Sequence, residues 1–301
     1  RDFCLSRGLG DVYKRQMENK GVEFSLQASL LRTRNFEWIV GGNIAKSTAK
    51  LKALGGEKQV ILDGNYNGMQ LVNRVGESPY QFYGYQADGV FSTQAEADEA
   101  ALVNRTGRSY SAGDVRFVDQ NGDHRIDDKD RVLLGSASPD YFGGFYTQLK
   151  YKGLALSAEF SYSKGNMAYN AVRQQLESMS TTNNQSLSVL NRWTVDGQKT
   201  DVPRARWKDP VGNSYFSSRW IEDASYLRLK NVTLSYTFSK TVWNFFRSGT
   251  LYVTGENLLT FTDYLGMDPE FSSSYSENVQ GLDYGKLMQP KTVKVGVNLK
   301  F

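Results

Sequence analysis

The sequence predicts an all-β protein, a segment of an antiparallel transmembrane β-barrel with long extracellular loops. Three observations predict this fold: apolar and polar residues alternate along seven stretches, short and long connections alternate between them, and aromatic residues and glycine are abundant. The 301 residues include 18 Tyr, 16 Phe, 5 Trp and 28 Gly, but a single Cys and a single His. No apolar run approaches the roughly 18 residues of a membrane helix. The absence of such a run does not exclude membrane-spanning β-strands, because in these strands only every second side chain is apolar.

Period-two alternation indicates each strand in turn. The first strand runs from Val22 to Leu30, with Glu23 and Ser25 among the residues of its polar face. The apolar phase changes once, between Leu229 and Val232, which predicts a β-bulge or a rim where the apolar surface ends. The remaining six strands are predicted near residues 36–44, 141–151, 154–162, 226–238, 251–261 and 291–301.

The connections separate into two kinds. Short links are predicted at Thr33–Asn35, at Lys152–Gly153 and near 239–248, and they alternate with long loops at about 49–139, 165–224 and 261–290. In an up-and-down antiparallel sheet, this alternation places every long loop at one end of the strands. Outer-membrane barrels have this asymmetry. The alternative is a soluble β-sandwich with inserted loops, in which the alternation would mark a core face.

The first sixteen residues, RDFCLSRGLGDVYKRQ, share no periodicity with the rest. They resemble a translated adaptor sequence, so we expect residues 1–16 to be a non-native leader and the native reading to start near Met17. Cys4, the only cysteine, lies in this stretch. The composition therefore predicts neither an intrachain disulfide nor a thiolate metal cluster.

One loop, DQNGDHRIDDKD at residues 119–130, has the spacing of a calcium site. Oxygen ligands at alternate positions of a twelve-residue loop can wrap around a hard cation. Ile126 takes position 8, the usual apolar anchor of such a loop. However, position 6 is His124 instead of the usual glycine, and position 12 is Asp instead of Glu. The alternative is a turn whose carboxylates cap backbone N–H groups. The predicted structural Ca²⁺ ligands are Asp119, Asn121, Asp123, the carbonyl of Arg125, Asp127 and Asp130.

Other chemistry is poorly supported. The net charge of +4 is spread along the chain without a basic block, so no nucleic-acid partner is predicted. His124 is the only imidazole, which excludes a Ser/His/Asp triad away from its loop, and no enzyme activity is predicted. Aromatic residues of the long loops could stack on sugar rings, although packing of the loops on each other, or a girdle at the membrane interface, is the favoured explanation for any single one. The candidate substrate contacts are Trp193, Trp207, Tyr215 and Trp220.

Six stretches in sequence resemble the C-terminal part of SusC/RagA-type TonB-linked outer-membrane proteins. They are MENKGVEFSL, QFYGYQADGVFSTQAEAD, GDVRFVDQNGDHRIDDKDRVLLGSASPDYFGGF, RWIEDASYLRLKNVTLSYTF, LYVTGENLLTFTDYLGMDPE and DYGKLMQPKTVKVGVNLKF. The resemblance implies that residues 17–301 supply about seven strands of a barrel of roughly 22. It also implies import of glycans or peptides with a SusD-like surface lipoprotein as lid and energy from the TonB complex. No plug or TonB-box segment is found in this sequence.

The ending KVGVNLKF resembles the signal that the barrel assembly machinery recognises in outer-membrane proteins. Its residues are Lys294, Gly296, Leu299 and Phe301. The valines of this strand would face outer-membrane lipids, and its Lys and Asn would face the lumen. The competing hypothesis is a secreted or surface-exposed, calcium-stabilised β-sandwich that binds glycans.

Overall fold

Strands make up most of the structure. The computed structural model describes residues 15–64, 66–239, 247–271 and 279–300. Its helices are α1 (Gln94–Ala100) and α2 (Ala171–Glu177), with 3₁₀ turns at Asp128–Asp130, Leu187–Asn191 and Ser218–Trp220. Within these ranges no helix combines the length and apolarity needed to cross a membrane. The strands are β1 (Arg15–Arg32), β2 (Phe36–Leu54), β3 (Gln59–Asp63), β4 (Gln70–Arg74), β5 (Gln81–Tyr85), β6 (Ala87–Val90), β7 (Val103–Asn104), β8 (Val115–Phe117), β9 (Arg125–Ile126), β10 (Arg131–Gly135), β11 (Tyr141–Tyr151), β12 (Leu154–Lys164), β13 (Met167–Asn170), β14 (Ile221–Asp223), β15 (Tyr226–Ser239), β16 (Ser248–Thr262), β17 (Leu282–Asp283) and β18 (Thr292–Lys300).

Seven strands form the main sheet, in the order β1-β2-β11-β12-β15-β16-β18. Every neighbouring pair is antiparallel, and the order in the sheet follows the order in the chain. The sheet has a strand at each of the seven predicted positions, although β1 and β2 are longer than predicted, at 18 and 19 residues. β1 and β18 are its two edges, so this sheet does not close on itself.

The boundary predicted at residue 16 falls inside β1. Arg15 pairs with Leu54 and Gln16 pairs with Ala53, so the strand continues two residues into the stretch expected to be a non-native leader. The rest of that stretch, residues 1–14, lies outside the described residues.

The phase change predicted near residue 230 is a β-bulge. Leu229 pairs with Phe160 of β12, and Asn231 pairs with the preceding residue, Glu159. Lys230 is therefore the extra residue of β15, and the register against β16 shifts at the same point. Because one inserted residue reverses the alternation, the apolar side chains before and after the bulge stay on the same face.

The main sheet has one apolar and one polar face. On the polar face Thr233 bonds to Thr254 at 2.8 Å, and Lys294 pairs with Glu256 at 2.5 Å. On the other face the side chains are large, apolar and exposed, with Val295 at 75% exposure. The pairing places all of the following on that face: Val22, Phe24, Leu26, Ile44, Phe145, Leu156, Leu234, Leu251, Val253, Val293, Val295 and Val297.

The long connections fold into smaller sheets instead of forming open loops. They join β2 to β11, β12 to β15, and β16 to β18, which places all three at the same end of the antiparallel sheet. The first connection contains α1 and the second contains α2. The small sheets have the orders β10-β5-β4-β3, β14-β13-β17, β6-β8 and β7-β9.

Two large apolar cores and a small one hold these connections together. The first large core draws on all three connections and the second mainly on the first connection, while the small core of Ala168, Ala224 and Tyr264 joins the second connection to the third. Four of the nine side chains in each large core are aromatic, which is the packing alternative that the sequence left open for the loop aromatics. The first core contains Met69, Leu71, Phe82, Tyr169, Ala171, Phe216, Trp220, Ile221 and Leu282. The second contains Tyr85, Phe91, Ala97, Leu102, Tyr110, Val115, Phe117, Ile126 and Val211.

Buried charges attach the third connection to the polar face of the main sheet. Arg228 of β15 pairs with Asp268, and these side chains are 3% and 5% exposed. Glu270 lies 3.0 Å from Arg228 and 2.6 Å from Lys230. Burial opposes ionisation of Asp268, but the guanidinium of Arg228 and the N–H groups of Gln289 and Glu270 outweigh it and lower its pKa. The pair stays charged and fixes the connection in place.

We expect Asp268→Ala to destabilise the protein strongly, because it leaves the Arg228 guanidinium buried beside a single remaining carboxylate. Breaking a buried ion pair costs about 3–5 kcal/mol. The matched control is Asp88→Ala, which removes an exposed pair with Arg116 and should cost at most about 1 kcal/mol. Thermal unfolding of the purified protein measures both. Equal midpoints for the two variants would show that Asp268 does not hold the connection.

Candidate functional site

The loop with calcium-site spacing is organised by Asp119. Its Oδ1 accepts the backbone N–H groups of Asn121 at 3.2 Å and Gly122 at 2.8 Å, and its Oδ2 accepts that of His124 at 2.7 Å. His124 adopts a positive φ of 59°, which explains why glycine is usual at this position. Asp119 therefore caps the turn that this backbone requires.

The next candidate ligands, Asn121, Asp123 and Arg125, form hydrogen bonds with each other and with the backbone of a nearby turn. Asp123 Oδ2 accepts from Asn121 Nδ2 at 3.0 Å, and Asp123 Oδ1 accepts the N–H of Arg125 at 2.9 Å. The Arg125 guanidinium donates to the carbonyl of Arg105 at 2.6 Å. Ile126 follows and is fully buried in the second core. The loop is thus anchored at its apolar position, as its spacing predicts.

The last two candidates form a capping box. Asp127 Oδ1 accepts the N–H of Lys129 at 2.9 Å, and Asp130 Oδ2 accepts the N–H of Asp127 at 2.8 Å. Asp130 Oδ1 accepts the N–H of Gln120 at 2.9 Å. Asp130 is fully buried, and both of its oxygens are used by the backbone.

The hydrogen bonds of the loop are those of capped turns. In the part of the chain that the structure describes, no three carboxylate, imidazole or thiol groups come together as a metal site. Desolvation raises the pKa of Asp119, but the N–H groups of His124, Gly122 and Asn121 outweigh it, and the pKa lies below its usual value. Calcium binding by this loop stays a prediction.

We expect Asp119→Ala to expose the segment 113–135 to proteases. Three backbone N–H groups lose their acceptor, which should cost about 1–2 kcal/mol of local stability. In the unchanged protein, protection should be complete above the unfolded pKa of about 4. It should fall as the pH drops through the lower folded pKa, because protonated Asp119 loses acceptor strength. Limited proteolysis across this pH range measures both effects.

The control is Glu99→Ala, an exposed carboxylate of α1, which should leave protection unchanged. Each digestion is run with calcium and with EDTA. Equal protection in the two conditions supports capping. Protection that rises with calcium and requires Asp119 and Asp123 would instead support the calcium site.

The four candidate aromatic contacts have different surroundings. Trp220 is 1% exposed in the first core, so its side chain offers no surface to a substrate. Trp193 is half-buried and donates from Nε1 to the carbonyl of Ser92 at 2.9 Å. Trp207 is 61% exposed. Tyr215 lines a cavity described below. Trp207 and Tyr215 are therefore the two with side chains placed to contact a ligand.

The candidate assembly residues follow the two faces of β18. Lys294 lies on the polar face in its pair with Glu256, and Leu299 lies on the apolar face. Gly296 pairs with Tyr252 of β16, whose ring occupies the space where a side chain at position 296 would begin. Phe301 lies outside the described residues.

A cavity of about 490 Å³ lies between the first and second long connections. Arg105, Arg131 and Gln174 line it together with Tyr215, and none of its lining residues is acidic. Of these residues, sequence reasoning singled out only Tyr215. The others carry no motif, because residues distant in the chain meet there only when the connections fold together.

Two arginines and two tyrosines form a continuous stack along this cavity. The guanidinium carbon of Arg131 lies 5.4 Å from the ring centre of Tyr85, and that of Arg105 lies 5.3 Å from the ring centre of Tyr215. The centres of the two rings are 5.6 Å apart. Cation–π contacts of this kind hold the guanidinium planes in fixed orientations.

Comparison with known proteins adds an independent line of evidence. No family model matches the chain. TonB-dependent receptor P3 of Formosa agariphila is 32% identical over 299 residues, which span 95% of this chain and 29% of that protein. TonB-dependent receptor SusC of Bacteroides thetaiotaomicron is 26% identical over 297 residues, covering 95% of this chain and 26% of SusC.

A solved structure of the RagAB peptide transporter has the same fold. It matches with a TM-score of 0.75 at 24% identity, over 95% of this chain and 30% of that chain. The chain thus spans about 29% of the length of the curated relative P3. SusC and RagA are outer-membrane proteins, and the apolar face of the main sheet fits that location. Sequence and structure agree in placing this chain among the TonB-dependent receptors of the SusC/RagA type.

Proposed function

We propose that the chain supplies barrel wall and extracellular loops to a TonB-dependent transporter that imports glycans or peptides across the outer membrane. The observation that carries this proposal is the main sheet. It exposes a continuous apolar face, keeps a polar face opposite, and gathers three folded connections at one end. Such an arrangement suits a wall between lipid and a polar lumen, with the connections forming a vestibule above it.

The proposed partners follow from the relatives. A SusD-like surface lipoprotein would cover the folded connections, as the name RagAB indicates a second component in that transporter. The TonB complex would engage parts of a transporter beyond the matched 29%. The barrel assembly machinery would receive β18, and lipids would cover the apolar face. No enzyme activity is proposed, because the relatives are receptors and transporters.

The competing hypothesis, a secreted calcium-stabilised β-sandwich that binds glycans, is less well supported. A sandwich needs a second sheet packed on the apolar face of the first. Among the described residues no sheet covers that face, and its valines and leucines are exposed.

Cell fractionation and uptake test the proposal. The receptor that contains this chain should separate with the outer membrane and migrate faster on a gel unheated than boiled. Deleting its gene should abolish uptake of one class of oligosaccharide or peptide. Recovery in the soluble fraction would contradict the barrel, and unchanged uptake of every compound would contradict import.

We expect Leu234→Arg to prevent stable insertion. Leu234 lies in the middle of the apolar face, between Leu156 and Val253, and an arginine at the bilayer midplane costs about 2–4 kcal/mol. The matched control is Ser235→Arg, one residue along and on the polar face. The amount of heat-modifiable receptor in outer membranes measures the difference. If the two variants insert equally, the apolar face does not face lipid.

We expect Phe301→Ser to lower the amount of assembled receptor, because it removes the terminal aromatic of the predicted assembly signal. Lys300→Ser is the control, because Lys300 is the preceding residue and is not one of the four that the signal depends on. Immunoblots of outer membranes, with a protease-deficient strain to retain unassembled chains, give the measurement. Equal levels for Phe301→Ser and the unchanged receptor would remove the assembly role of this residue.

A further inference from the structure

We propose that the cavity between the first and second long connections binds an acidic oligosaccharide, a short chain of sugars that carry carboxylate or sulfate groups. The inference rests on the proposed import function and narrows its substrate class. It is carried by the charge of the cavity, by the kinds of polar group that line it, and by its aromatic surface.

The charge comes mainly from Arg105. Arg105 is exposed, and none of the described carboxylates lies within ion-pair distance of its guanidinium, which therefore keeps its donors for a ligand. The guanidinium of Arg131, by contrast, already pairs with Asp128 at 2.9 Å and donates to Gln70. Because none of the residues that line the cavity is acidic, the charge of Arg105 leaves the cavity positive, and the cavity favours an anion.

The remaining polar lining suits sugar hydroxyls. Hydroxyl and amide side chains can both donate and accept hydrogen bonds, as a sugar hydroxyl does. Eight such residues line the cavity, and they come from the turn before β4, from α2 and the segment after it, and from the segment before Tyr215. They are Asn67, Gln174, Gln175, Ser178, Ser180, Thr181, Asn183 and Ser214.

The aromatic surface favours a sugar over a peptide. Four aromatic residues line the cavity, Tyr83, Tyr85, Tyr215 and Phe216. Tyr215 is half-buried and the other three are buried, so the ring of Tyr215 is the one best placed to pack against the C–H face of a sugar. A mixed peptide would need several apolar recesses for its side chains, which this lining does not provide. The volume of about 490 Å³ lies within the usual range for small-molecule sites, roughly 300–1,000 Å³.

The guanidinium stack gives the site its geometry. Arg131 and Arg105 lie at opposite ends of the stack, with the rings of Tyr85 and Tyr215 between them. Planar guanidinium groups bind carboxylate and sulfate oxygens through paired hydrogen bonds. Arg105, exposed and without a carboxylate partner, is the residue on which we expect binding to depend most.

Calorimetry on the purified receptor tests the proposal. The probes are trigalacturonate, a sulfated galactan trisaccharide, neutral maltotriose and triglutamate. We expect at least one acidic sugar to bind about tenfold more tightly than maltotriose or triglutamate, and salt to weaken this binding. We expect Arg105→Gln to bind that acidic sugar about tenfold more weakly than the unchanged receptor does, because a charge-assisted hydrogen bond is lost.

The matched control is Arg108→Gln, an exposed arginine of the same turn that does not line the cavity. It should leave binding unchanged, and both variants should unfold at the temperature of the unchanged receptor. Three results would overturn the proposal: no acidic sugar bound more tightly than maltotriose, triglutamate bound most tightly, or equal binding by Arg105→Gln and Arg108→Gln.

Uptake by cells separates this proposal from the import function. If the sugar binds in a way that depends on Arg105 but is not taken up by cells, the result contradicts import. The same result still supports the proposed binding site. Uptake of an acidic sugar that is unchanged in Arg105→Gln would support import and contradict the role of this cavity.

Discussion

The exposed apolar face of the seven-stranded sheet is the constraint on which the rest of the structure depends. Leu156, Leu234, Val253 and Val295 lie side by side across four strands, and apolar surface of this kind gains about 25 cal/mol for each Å² removed from water. An apolar surrounding satisfies that face only if every backbone group of the sheet is paired within it. The strands are accordingly continuous, and the irregular backbone is collected in connections at one end.

The bulge at Lys230 serves the same constraint. It keeps the apolar residues before and after it on one face. Arg228, two residues before the bulged Lys230, and Lys230 itself both pair with carboxylates of the third connection. The connection is therefore attached to the polar side of the wall by charges that lipid would not tolerate. The two large apolar cores then join the connections to each other, so that residues distant in sequence form one folded body.

The polar chemistry of the connections divides into two roles. In the 119–130 loop the carboxylates accept backbone N–H groups and stabilise turns, with Asp119 and Asp130 as the main acceptors. In the cavity, by contrast, Arg105 has donors to spare and lies beside hydroxyl and amide groups.

The sequence by itself determined the strand positions and the change of phase near residue 230, because alternation in a sheet is a local pattern with a period of two. The resemblance of six stretches, and not the alternation, indicated the family. The sequence also indicated Ile126 as a buried anchor, since its position within the loop motif is local as well. Only the tertiary structure decided which loop aromatics are core and which are surface. Trp207 and Trp220 look equivalent in sequence, yet one is exposed and the other is buried. Likewise, Arg105, Arg131 and Gln174 meet at one cavity because the connections pack through long-range apolar contacts, and such contacts leave no regular spacing in the chain.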